Sequence, residues 1–89
     1  MSKILTIPLE MKQGEKVSWN WKLANGDINF AVSFKNAGKT VTEVFKGDRI
    51  KTHSSTFQAP EDGEISFVYD NSFSWVNGKT VIGMITLDE

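Results

Sequence analysis

Few residues in this 89-residue chain could carry chemistry. It has one histidine, His53, and no cysteine, so a zinc site would rest on one imidazole and scattered carboxylates. His53 runs into Ser54 and Ser55 with no evident orienting acid. That pattern predicts a solvated histidine at a strand start or in a loop, not a nucleophile and its base. Asn36-Ala37-Gly38-Lys39-Thr40 carries a Gly-Lys-Thr like that of a phosphate loop, but the upstream glycine and a following helix are missing, so Lys39 and Thr40 are expected simply to leave a turn. Glu61, Asp62 and Glu64 gather around one Pro- and Gly-flanked turn, where exposure to water suits solvation better than paired acid–base catalysis. These residues point to no reaction, metal or cofactor.

The aromatic residues are the other candidates. Trp19 and Trp21 share parity with Val17 and Leu23, which places them in a core, whereas Trp75 stands outside any strand pattern. It belongs to the stretch Asp70-Asn71-Ser72-Phe73-Ser74-Trp75-Val76-Asn77-Gly78-Lys79. Asp70 and Asn71, at a strand end, are expected to hold the loop by hydrogen bonds to nearby backbone groups. Phe73 and Trp75 alternate, so one would seat against the end of the domain and the other would lie at the rim as an anchor for a partner. A second reading makes Trp75, with Tyr69, a stacking platform for sugar rings.

These side chains must be positioned by strands. Leu5, Ile7, Leu9 and Met11 alternate with polar residues or proline, and Pro8 marks that run as an edge strand. The same period of two holds for Val17, Trp19, Trp21 and Leu23, for Ile28, Phe30, Val32 and Phe34, and for Ile65, Phe67 and Tyr69. Asn25-Gly26-Asp27 reads as a hairpin turn between the second and third runs, and Pro60 to Gly63 as a tight turn before the fourth. Weaker strands are expected over 40–46, 48–52 and 54–59, and a closing strand from about Lys79 to Leu87. No apolar pattern repeats at 3.6. About eight short strands without helices predict two antiparallel sheets packed face to face.

In the closing strand Val81, Gly83, Ile85 and Leu87 occupy one parity, but Ile82 and Met84 make the other face apolar too. Val68 and Ile4 have the outward parity on their own strands. Were those strands neighbours, Ile4, Val68, Ile82 and Met84 would form one apolar patch, and a homodimer about a twofold axis would be its simplest use.

One core is the limit for a chain of this length, so residues 1–89 are read as a single domain. The net charge of −1, with both signs interspersed, offers no field for nucleic acid or anionic membrane. No apolar run approaches the roughly 20 residues of a membrane helix, and Met1-Ser2-Lys3-Ile4 does not begin a secretory leader. The absence of cysteine favours a reducing compartment. A soluble, cytosolic chain is expected.

Gly63, then Ile65, Phe67 and Tyr69, then Asp70-Asn71-Ser72-Phe73-Ser74-Trp75, Lys79, and a strand from Val81 to Leu87 resemble the C-terminal half of the GOLD (Golgi dynamics) domain family. The N-terminal half is also similar, through the Trp-containing run Val17 to Trp21 and through Asp27-Ile28-Asn29-Phe30 with Val32 and Phe34. The loop is the specific part, with Asp70, Asn71, Ser72 and Lys79 as its structural motif. The resemblance implies a jelly-roll-like β-sandwich without enzymatic activity or cofactor, of the cysteine-free cytosolic type. It further implies contact with a protein partner or partner domain in membrane traffic or lipid handling, and recruitment to Golgi or other membranes through partners. Phe73, Trp75, Val68, Ile82 and Met84 are then the candidate contact residues.

Overall fold

A computed structural model describes residues 4–24, 26–71 and 81–88. Its strands are β1 (Ile4–Met11), β2 (Lys16–Leu23), β3 (Ile28–Asn36), β4 (Val41–Ile50), β5 (Thr52–Gln58), β6 (Gly63–Asp70) and β7 (Val81–Asp88). They build a four-stranded sheet in the order β1-β6-β3-β4 and a three-stranded sheet in the order β5-β2-β7, with every pairing antiparallel. The protein is an antiparallel β-sandwich.

The alternation seen in the sequence closes the core. Val17, Trp19 and Trp21 from one sheet meet Ile28, Phe30, Val32, Phe34, Ile65, Phe67 and Tyr69 from the other, all buried in one cluster. Trp19 packs edge-on to Phe67 at 5.2 Å, and Trp21 to Phe30 at 4.9 Å, geometries that set the positive ring edge against a negative face. Burying so many rings is how a chain of this size gathers enough apolar area to fold.

One expectation about turns changes. Asn25-Gly26-Asp27 does not make a hairpin, because β2 and β3 lie in different sheets. Turn residues signal a reversal, but they do not say whether the next strand pairs with the last or crosses above it, and here Trp21 and Phe30 face each other through the core. The hairpin between consecutive strands joins β3 to β4 through Ala37-Gly38-Lys39-Thr40, where the Thr40 backbone N–H donates to Asn36 Oδ1 at 2.8 Å. The Gly-Lys-Thr sequence is this turn.

The strands expected over 40–46 and 48–52 are one strand, β4, which accounts for seven described strands where about eight were expected. β4 shifts register against β3 twice. The first shift leaves Val44 as an extra residue, and both Val44 and Phe45 pack on the core. The second falls at Asp48 and Arg49, where Arg49 takes φ 57°. That break in pattern is a bulge, not a strand end.

Candidate functional site

The two long sides of the sandwich differ. β4 and β5 end the two sheets on one side and are joined through Lys51 alone. There His53, paired across from Trp21, turns inward: its ring stacks on Phe45 at 3.7 Å, and its Nδ1 accepts the Trp19 indole N–H at 3.0 Å. The expectation of a solvated histidine is therefore corrected. His53 has the parity of Phe57 and faces the core from an edge strand, so its imidazole closes the gap between sheets. Burial lowers its pKa from the ordinary value. The bond from Trp19 acts in the same direction, since a protonated ring has no acceptor nitrogen.

β1 and β7 end the sheets on the opposite side. Leu5 and Ile7 of β1, Gly83, Met84 and Ile85 of β7, and Tyr69 between them line a groove of about 240 Å³. Along β1, burial deepens from exposed Leu5 through half-buried Ile7 and Leu9 to buried Met11, so among the described residues this side is least covered at the Leu5 end. Burial raises the Tyr69 phenol pKa at the floor of this groove. Gly83 lies opposite Trp21 on β2, and a Cβ there would stand 2.8 Å from the Trp21 Cα. Glycine is what lets β7 lie close to β2.

The contact residues expected from the sequence separate. Ile82 and Met84 are indeed exposed, at 54% and 64%. They project from the outer face of the three-stranded sheet, whereas Val68 and Ile4 belong to the outer face of the four-stranded one. The four side chains cannot form one patch, because β7 neighbours β2 and not β1 or β6. Val68 instead borders a shallow concavity of about 260 Å³ with Asn29, Ala31, Lys46, Asp48 and Asp70. Asp70 ends β6 between Ile4 and Asn29; Asn71 follows it, buried, and neither is without a partner. Phe73, Trp75, Ser72 and Lys79 lie outside the described residues.

Trp19, Trp21 and Tyr69 are all buried, so none of them offers an open face to a sugar ring. A larger concavity, about 570 Å³, lies at an end of the sandwich where Lys12, Lys35 and Lys39 mix with Glu15, Asp62 and Glu64. Among the described residues, no three His, Asp or Glu side chains are grouped to hold a metal ion. Apolar exposure at the β1–β7 side is the feature that sequence reasoning missed, although the parity violation at Ile82 and Met84 pointed to one half of it. No model of a known protein family matches this chain, and no curated protein matches it either.

Proposed function

We propose that this chain is a non-catalytic protein–protein interaction module of the GOLD type, acting without a cofactor. One observation supports the interaction reading above the rest. Of the six large hydrophobic side chains exposed among the described residues, Ile4, Leu5, Ile82, Met84 and Leu87 lie on β1 and β7, the strands that flank one side, and only Val41 lies elsewhere. Scattered surface hydrophobes are normal, but a collection of them on one side suits a macromolecular partner. The GOLD type itself rests on the resemblance of the Asp70 to Lys79 motif. With it comes the finer reading, a cytoplasmic module that meets proteins of membrane traffic or lipid handling and reaches Golgi or other membranes through them.

The test offers the immobilised chain both a cytosolic extract and a glycan array. Saturable binding of a protein, lost in Leu5→Lys and Met84→Lys, is the expected result. Binding to glycans with no protein retained overturns the reading in favour of a carbohydrate-binding sandwich.

A further inference from the structure

Among the described residues four strands end the two sheets, and two of them carry devices that discourage pairing with another strand. β1 has Pro8 in its middle. β4 is broken by two register shifts and carries Glu43, Lys46, Asp48 and Arg49. β5 carries no proline, bulge, lysine or acid, but every exposed position on it is polar, Thr52, Ser54, Ser55, Thr56 and Gln58, so it offers a partner no apolar surface. β7 has no such device. Its register against β2 runs unbroken from Lys16↔Asp88 to Leu23↔Val81, it contains neither proline nor lysine, and its one charge, Asp88, is at its end. It leaves apolar Ile82 and Met84 exposed and a full backbone edge with no strand paired to it among the described residues.

We propose that β7 pairs antiparallel with β7 of a second copy of this chain, across a twofold axis normal to the sheet, turning each three-stranded sheet into half of a six-stranded one. This deepens the interaction reading, and rests on it, by naming the partner. Residues opposed across a ladder point to the same face, so the axis must pass through a residue and not between two. Centred on Met84, the register sets Met84 against its copy and Ile82 against Thr86; centred on Ile85, it sets Met84 against Thr86. Neither register opposes the two Asp88 carboxylates. A net charge of −1 per copy leaves little long-range repulsion to overcome.

The area argues for a second copy over a lone peptide strand. Eight residues of strand span about 27 Å, and two layers roughly 10 Å apart give the side a width of about 20 Å, hence on the order of 500 Å² per copy and 1,000 Å² per pair. That is about the least a specific interface buries, and it is reached only if both layers contribute. A twofold axis normal to the layers does this, bringing the Leu5 and Ile7 rims together as β7 meets β7. A single added strand would cover β7 and leave the β1 side of the groove open.

Because the chain has no cysteine, single introduced thiols report the geometry without background. Light scattering after size exclusion should give a dimer, and Met84→Lys a folded monomer by circular dichroism. Under mild oxidation, Met84→Cys alone should cross-link in yield if the axis lies at Met84, and a mixture of Met84→Cys with Thr86→Cys should do so if it lies at Ile85, whereas Ser55→Cys, exposed on the other long side, should not. A wild type that stays monomeric at high concentration overturns the proposal, as does a folded Met84→Lys that remains dimeric or a Ser55→Cys that cross-links equally. Should the monomeric wild type still hold an extract protein that Met84→Lys loses, self-pairing fails while the interaction reading stands.

Discussion

Where β4 turns into β5, the gap between the sheets is filled by an imidazole stacked on Phe45 and bonded to Trp19. Where β1 and β7 end the same two sheets, it is bordered by Leu5, Ile7, Met84 and Ile85, with Leu5 and Met84 more than half exposed. The first side is sealed by the chain itself: Thr52 Oγ1 donates to the Trp21 carbonyl at 2.8 Å, the Leu23 N–H to the Lys51 carbonyl at 2.9 Å, and the Arg49 N–H to Asn29 Oδ1 at 2.9 Å. These polar groups are satisfied locally. The second side offers apolar surface and an unbroken strand edge. Local closure and apolar exposure thus occupy opposite sides of one core.

The core common to both sides should fail first. Phe30 touches Trp21 and Tyr69 at 4.9 Å and Phe45 at 6.0 Å, so it joins the sealed side to the open one. Phe30→Ala should cost about 3 to 5 kcal/mol, a large part of the roughly 5 to 15 kcal/mol available to a domain. Urea unfolding should show no native baseline or a midpoint shifted far down; a nearly unchanged midpoint would mean that Phe30 does not couple the two sides.

Gly83→Val acts on the open side alone. The new side chain would collide with the Trp21 Cα and the Asn20 carbonyl, so β7 must move off β2, at about 1 to 3 kcal/mol for overpacking. Amide exchange should accelerate in β7 while β3 and β6 stay protected. Equal acceleration in all three would show that the open side is not separable from the core.

Much of this was legible from parity. Val17, Trp19 and Trp21, then Ile28, Phe30, Val32 and Phe34, then Ile65, Phe67 and Tyr69 face inward as their spacing predicts, because a strand on a core has no other way to bury them. Parity states a face, however, and not a sheet. Asn25-Gly26-Asp27 therefore looked like a hairpin, and Ile4, Val68, Ile82 and Met84 looked like one patch, until long-range pairing assigned β2 and β7 to one sheet and β1, β3 and β6 to the other. His53 was misread for a similar cause. Only the register that sets it opposite Trp21 shows that its side chain turns inward.

The two tryptophans compare the sides more finely. Trp19 Nε1 has His53 as its acceptor, whereas Trp21 Nε1 is buried with no hydrogen-bond partner among the described residues. Replacement by Phe removes a similar volume at each site, but only Trp19→Phe loses a bond and strands the Nδ1 acceptor. Trp19→Phe should be the more destabilising by about 1 kcal/mol. Equal losses in thermal unfolding would mean that the imidazole seals its side by packing alone.

The smallest effect separates those two contributions of His53 without altering the chain. Its folded pKa lies below the ordinary imidazole value of about 6.5, because burial disfavours the cation, so protons bind the unfolded chain more readily than the folded one. The stabilisation is complete above the unfolded value and is lost as pH falls from there through the folded value. Protonation would also set an Nδ1–H against the indole N–H it now accepts. The thermal midpoint should decline between pH 7 and pH 5 in the wild type. In His53→Phe, which keeps a ring against Phe45 and cannot titrate, the decline over the same interval should be shallower. Parallel declines in the two proteins would show that the His53 charge is tolerated in place, and that water already reaches the side described here as sealed.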